Sequence, residues 1–221
     1  MRSEIDITPA RLSMTINVDR WDGYPPLDRF EIAGRLRRPH ADVLAVAIFI
    51  IMLRFTAKGL VFPDAISHEL AAAFARAVPD RVLIPSPLVS HEREAHKGSE
   101  LGVLVCAGHT HGEPLPRNLQ SFSVVYDSLS GGGAPVGTAL HSNIPLVMGH
   151  RDYFWLGELA VLTLAAAEYN LSDICVSVAP AHTLIPLSSL RYLYSIAGLR
   201  LHFGSGSVYP AGRPVSDGSV G

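Results

Sequence analysis

The feature that most limits the fold of this chain is an apolar run of eleven residues, Val43 to Leu53. A helix that spans a bilayer needs about 20 apolar residues, so this run is too short to cross a membrane and is expected to lie in a domain core. Its Val and Ile content fits a central strand or a buried helix, and the pattern does not decide between them. With 221 residues, the chain is long enough to bury such a core.

Segments with strand-like and helix-like patterns alternate along the chain. Residues 12–18 alternate apolar and polar side chains, which predicts a half-buried strand. Apolar side chains at helical spacing predict helices over 64–78 and 153–169, and the second is apolar on almost every face. The sequence therefore predicts an α/β protein with a mixed sheet and helices packed on it. We expect one compact domain over 1–203 and a flexible tail over 204–221.

Shorter elements complete this prediction. They are a helix over 27–36, strands over 81–84, 101–106, 122–126 and 174–178, and a helix that Ser188 or Ser189 caps. Asp64 and Asp152 are the predicted N-caps of the helices over 64–78 and 153–169, because an aspartate at this position accepts hydrogen bonds from the first backbone amides of a helix.

The composition indicates contact with other proteins and argues against nucleic acid. Charged residues make up 17% of the chain and hydrophobic residues 48%, whereas about a quarter of a typical soluble domain is charged. Because so few charges leave a monomer short of polar surface, we expect a homo-oligomer or a partner protein. A formal net charge of −2 gives no basic surface for general nucleic-acid binding.

The cysteines and the first residues predict a cytoplasmic protein without a membrane segment. Cys106 and Cys175 lie far apart in apolar segments, where buried free thiols are the usual state. The first residues are polar and lack the apolar segment of a secretory signal.

The strongest candidate site is His109-Thr110-His111, which follows the apolar segment 101–106. Residues i and i+2 of an extended segment face the same side, so these two imidazoles can hold one divalent ion, zinc or manganese. Metal-bound water would then supply the nucleophile for hydrolysis. Two alternatives are loop histidines with only local hydrogen bonds, and a metal-free site with His109 as the general base, oriented by Glu113. Candidates for the remaining ligands are Glu113, His91, His96, His141, His150 and Asp127.

Gly108-His-Thr-His-Gly112, which lies beyond Leu88-Val-Ser-His91, resembles the last two metal-binding motifs of calcineurin-like metallophosphoesterases. The resemblance implies that His91, His109 and His111 are ligands of a two-metal centre that cleaves phosphoesters. That family also has Asp-x-His, Gly-Asp and Gly-Asn-His motifs further upstream, and the corresponding part of this sequence lacks them.

Thr110-His-Gly-Glu-Pro114 also resembles a motif of the fumarase and adenylosuccinate lyase group. That group is almost wholly helical, whereas this chain has several strand-like segments. Because two unrelated families match the same few residues, neither is adopted as an assignment.

Two functions follow from these features. The first is a metal-assisted hydrolase that acts on a phosphoester or an amide. The alternative is a non-catalytic subunit of a homo-oligomeric shell or a larger protein assembly. In the hydrolase, the metal ligands are His91, His109 and His111, the catalytic residues are Glu113 and Asp127, and the substrate-binding residues are Gly131, Gly132 and Gly133. These glycines let the backbone approach a substrate, although a plain connecting loop has the same composition.

Four other polar residues are assigned structural roles. Glu158, on the apolar helix over 153–169, predicts a polar contact inside the core or an interface, because a buried carboxylate needs a partner. Cys106 is interpreted as a buried structural cysteine. His182 and His202 are isolated in the sequence and are interpreted as structural.

Overall fold

Strands and helices alternate along the protein. The computed structural model describes residues 1–18, 20, 22–57, 59–79, 88–89, 96–106, 120–125, 137–177 and 183–204. In these residues the strands are β1 (Arg2–Ile7), β2 (Arg11–Asn17), β3 (Arg29–Ala33), β4 (Ile66–Ser67), β5 (Leu88–Val89), β6 (Glu100–Leu104), β7 (Gln120–Val125), β8 (Thr138–His141), β9 (Leu171–Val176) and β10 (Arg200–Phe203). The helices are α1 (Ala41–Met52), α2 (His68–Ala77), α3 (Ile144–Met148), α4 (Phe154–Ala165) and α5 (Leu187–Ile196).

The strands form two larger sheets and one small one. Five parallel strands lie in the order β10-β9-β6-β7-β8, and β1-β2-β3 form an antiparallel sheet. β4 and β5 form a separate parallel pair. With the helices packed on these sheets, the predicted single compact α/β domain is confirmed.

Side chains join the two larger sheets. Ser142, directly after β8, forms an antiparallel bridge with Ile32 of β3, and its Oγ donates a hydrogen bond to the Glu31 carbonyl at 2.7 Å. The Asn143 Oδ1 accepts from the Glu31 amide at 2.8 Å, and its Nδ2 donates to the Arg29 carbonyl at 2.9 Å. Together with a backbone bond from the Asn143 amide to the Glu31 carbonyl at 3.4 Å, these side-chain bonds connect the parallel sheet to the antiparallel one.

Two apolar helices fill the centre of the protein. All twelve residues of α1 are buried, as are ten of the twelve residues of α4. The two helices pack against each other, and α4 also lies against β6 and β7. The apolar run 43–53 is therefore mainly a helix, which satisfies its backbone hydrogen bonds internally and can present apolar side chains on every side.

The predicted helix over 27–36 is wrong, because this segment contains β3. Phe30 and Ile32 are buried, whereas Arg29 and Ala33 are exposed, and this alternation is the period of a strand. Pairing with β2 then satisfies the backbone groups of the segment.

Asp64 does not cap α2. The cap is Ser67, whose Oγ accepts a hydrogen bond from the Leu70 amide at 3.2 Å. Asp64 forms an ion pair with Arg38 instead, at 2.9 Å. The predicted helix itself is confirmed, and it begins at His68.

The predicted caps of α4 and α5 are also wrong. A 3-10 turn at Arg151–Tyr153 precedes α4, and His150 accepts a hydrogen bond there from the Asp152 amide. α5 follows Pro186, without a side-chain cap. The predicted strand over 81–84 and residues 205–221 lie outside the described residues.

Replacing Asn143 with alanine should lower the free energy of unfolding by about 1–3 kcal/mol, because two backbone groups of β3 lose their partners. Urea-induced unfolding followed by circular dichroism measures the change. Asn17→Ala is the matched control, since the Asn17 amide donates one exposed hydrogen bond, to Glu4 at 3.3 Å. Equal destabilisation by the two substitutions would contradict the role of Asn143 in joining the sheets.

Candidate functional site

The carboxyl ends of the five parallel strands share one edge of the sheet. β6 and β9 are neighbours in the middle of the sheet. The strand that follows β6 in the chain, β7, lies on the side of β6 away from β9, and the strand that follows β9, β10, lies on the side of β9 away from β6. The direction of the connections therefore reverses between β6 and β9. In open α/β sheets, ligands bind in the crevice at the carboxyl ends of strands at such a switch point. The fold thus favours a site between the ends of β6 and β9.

The predicted site residues lie outside the described residues. They are His91, His109, His111, Glu113, Asp127, Gly131, Gly132 and Gly133. The strands that precede them in the chain are described. β6 and β7 precede the predicted residues from 109 onwards and are neighbours in the parallel sheet, whereas β5, which precedes His91, belongs to the separate pair with β4.

A buried polar contact lies beside the end of β6. Cys106, two residues after β6, and Glu158 of α4 are both buried. Burial, the negative charge of Glu158 and a hydrogen bond from the thiol to its carboxylate all raise the pKa of Cys106 far above its usual range. Cys106 is therefore a protonated thiol at neutral pH and not a thiolate nucleophile. The predicted polar contact of Glu158 and the buried, structural state of Cys106 are both confirmed.

The five-stranded sheet has two chemically different faces, because side chains alternate along each strand. Cys106 belongs to the core that the sheet forms with the helices. Val103, Val105 and Cys175 are buried as well, but they are not part of that core cluster. These three side chains therefore lie on the face opposite to the helical core.

Two buried serine hydroxyls flank Val105 near the carboxyl edge. The Ser177 amide donates to the Leu104 carbonyl at 3.1 Å, and the Val105 amide donates to the Phe122 carbonyl at 2.8 Å. These bonds place Ser177 on one side of Val105 and Ser123 of β7 on the other. Neither serine Oγ has a hydrogen-bond partner among the described residues. Both hydroxyls are thus buried polar groups beside Val105, close to the carboxyl edge.

The other candidate ligands occupy different parts of the protein. The His96 Nε2 is 2.6 Å from the Leu171 carbonyl, which places His96 at the amino end of β9, away from the carboxyl edge. His150 lies beside Asp152, with Nδ1 and Oδ2 3.5 Å apart. His141 is the last residue of β8 and is exposed at the carboxyl edge. Within the described ranges, no three His, Cys, Asp or Glu side chains are arranged to hold a metal ion.

A second polar cluster surrounds Asp173 of β9. Its Oδ2 accepts hydrogen bonds from the Arg200 Nη2 and the Ser172 Oγ, each at 2.6 Å, and its Oδ1 is 3.0 Å from the His202 Nε2. Burial acts to raise the pKa of Asp173, but these hydrogen bonds and the charge of Arg200 outweigh it and lower the pKa below its ordinary value. His202 is isolated in the sequence, but in the fold it belongs to this cluster.

The sequence contains a signal for this cluster. Asp173 interrupts the otherwise largely apolar segment 171–176, and a charged residue in such a strand needs a partner. Arg200 and His202 are two residues apart, so they share a face of β10, and Arg200 pairs in register with Asp173. The sequence prediction contains no strand over 200–203, and without this strand the two basic residues are not placed beside Asp173.

Comparisons with protein-family models, curated proteins and solved structures find no match. In the part of the chain that the structure describes, no helix has the length and apolar character needed to cross a membrane. The geometry at the ends of β6 and β9 is thus the basis for assigning a function.

Replacing Glu158 with glutamine should lower the pKa of Cys106, because the variant removes the negative charge that stabilises the protonated thiol. Burial remains, so the pKa should stay above its usual range. The pH dependence of alkylation by iodoacetamide measures the change, in a Cys175→Ala background that leaves one thiol. Glu168→Gln is the control, because Glu168 is a partly buried glutamate that pairs with Arg37 rather than with Cys106. An unchanged alkylation profile in Glu158→Gln would contradict the contact.

Proposed function

We propose that this protein is a metal-assisted hydrolase that acts on a phosphoester or an amide at the carboxyl edge of the parallel sheet. One observation carries the proposal. β6, the strand that precedes His109-Thr-His111 in the chain, lies beside β9 at the switch point of the sheet. Ligand sites of open α/β folds form at this position.

The short length of chain between the strand ends and two of the predicted site residues supports the proposal. His109 is three residues beyond Cys106, and Asp127 is two residues beyond Val125, the last residue of β7. Three residues span at most about 11 Å and two residues about 7 Å. No more than these lengths of chain separate the two residues from the ends of β6 and β7, which lie side by side.

The buried carboxylate of Glu158 also favours a cation at this edge. It lies in α4 against the thiol of Cys106. Carboxylates close to a metal centre commonly orient its histidine ligands and increase their basicity. A metal ion near His109 would therefore benefit from the position of Glu158.

The proposed roles follow the chemistry of each residue. His91, His109 and His111 bind a divalent zinc or manganese ion, which when bound lowers the pKa of coordinated water. Glu113 and Asp127 accept and return protons during hydrolysis. Gly131, Gly132 and Gly133 let the backbone contact the substrate.

Protein purified without chelator should contain about one or two divalent metal ions per chain, measured by elemental analysis. The His109→Ala/His111→Ala variant should lose the metal and keep the circular dichroism spectrum of the parent, because neither residue is part of the described helices and strands. The single His91→Ala variant tests the third ligand. A parent protein with less than about a tenth of an ion per chain would exclude the metal site.

The matched control is His96→Ala, which removes a histidine at the amino end of β9, away from the carboxyl edge. It should retain the metal. Glu113→Gln should retain it too and lose hydrolysis, which is assayed with p-nitrophenyl phosphate and with an amide p-nitroanilide. Loss of metal in the control variant would show that binding depends on other histidines.

A homo-oligomer and a cytoplasmic location remain part of the proposal. Both cysteines are buried free thiols, as expected in a reducing compartment. The low charge of the chain has a partial explanation inside the fold, because α1 and α4 are buried against each other. Light scattering after size exclusion should give a mass above the 23.8 kDa of one chain. A clean monomer would contradict the oligomer and leave the hydrolase proposal intact.

A further inference from the structure

The side chains around Asp173 form a second site, which lies apart from the proposed metal centre. We propose that Arg200 and His202, held in place by Asp173, bind an oxyanion such as the phosphate group of a monoester. Asp173 precedes Ser177 by four residues, which corresponds to about 13 Å along an extended strand. The proposal therefore does not depend on the metal centre at the carboxyl edge.

Strand pairing brings the three side chains together. β9 and β10 are parallel neighbours, in which Arg200 pairs in register with Asp173 and His202 pairs with Cys175. Residues two apart on a strand face the same side, so Arg200 and His202 both lie on the face that carries Asp173. β10 is the outermost described strand of this sheet, which leaves the two basic side chains at its border.

Asp173 orients the two basic side chains. Its side chain is only 10% exposed, and its two oxygens together contact Arg200, His202 and Ser172. The hydrogen bonds to its Oδ2 fix the Arg200 guanidinium, and the contact with its Oδ1 fixes the His202 ring. A positively charged pair held in this way has lost its side-chain freedom before a ligand binds, which lowers the entropic cost of binding.

The outer atoms of the basic side chains remain available. The Arg200 side chain is 60% exposed and that of His202 is 36% exposed. A guanidinium has five N–H donors, and the Arg200 Nη2 is the nitrogen that contacts Asp173. The His202 Nε2 also contacts Asp173, which leaves Nδ1 as the second ring nitrogen. Arginine is well suited to oxyanions because its planar donors match two oxygens at once.

Nuclear magnetic resonance of the labelled full-length protein tests the proposal through the ring signals of His202. Sodium sulfate is the first probe, because its charge is constant across the pH range in which histidine titrates. We expect a saturable shift of these signals with sulfate, which is absent with sodium chloride at equal ionic strength. A linear response identical to that of chloride would overturn the proposal.

Two substitutions test whether Arg200 binds the anion or only pairs with Asp173 across the two strands. Arg200→Gln should weaken sulfate binding about tenfold or more, whereas Arg200→Lys should restore part of it, because the charge returns without the planar donors. Arg191→Gln is the control, since Arg191 contacts Phe203 rather than Asp173. Undiminished sulfate binding by a folded Arg200→Gln variant would overturn the proposal.

The chemical class of the ligand follows from three further probes. If phenyl phosphate binds more tightly than inorganic phosphate, the result supports a monoester. Equal affinity of the two would support the free anion, which is also an oxyanion. Acetate should bind more weakly than either of them, because it has fewer oxygens and less charge. Acetate binding as tight as that of both phosphates would overturn an oxyanion site of this class.

Discussion

The packing of α1 against α4 is the interaction on which the rest of the structure depends. Nearly all residues of both helices are buried, so their apolar side chains bind the parallel sheet on one side of the pair and other helices around it. Burial of this kind yields about 25 cal/mol for each Å² of apolar surface. The same packing accommodates one carboxylate, Glu158, which is held against Cys106 beside the end of β6. The helical core thus extends to the edge at which a ligand is expected.

The fold class is predictable from the sequence because its clearest periodic segments depend on residues that are close together in the chain. The alternation over 12–18 predicts a strand, and the helical spacing over 153–169 predicts a helix. The structure contains both elements. The segment over 27–36 was misassigned because its strand character depends on pairing with β2. The caps failed for a related reason. Asp64 has a better partner in Arg38, and a sequence does not show such distant partners.

The candidate site was only partly predictable. The position of His109 after an apolar strand points to the end of β6, which lies at the switch point of the sheet. The order of the strands, which makes β9 its neighbour, depends on long-range contacts and has no local signal. The cluster of Asp173, Arg200 and His202 was missed for the same reason, because the two strands become adjacent only in the folded sheet.

The joint at Ser142 and Asn143 has a mechanical consequence. Between β3 and β8, side chains supply most of the hydrogen bonds that a backbone ladder provides elsewhere. A ladder shares load among regularly spaced bonds, whereas two side chains concentrate it at one point. A force that pulls the antiparallel sheet away from the parallel one would therefore act first on these bonds. Separation would also expose Phe30 and Ile32 of β3, which lie in the apolar core shared with the helices.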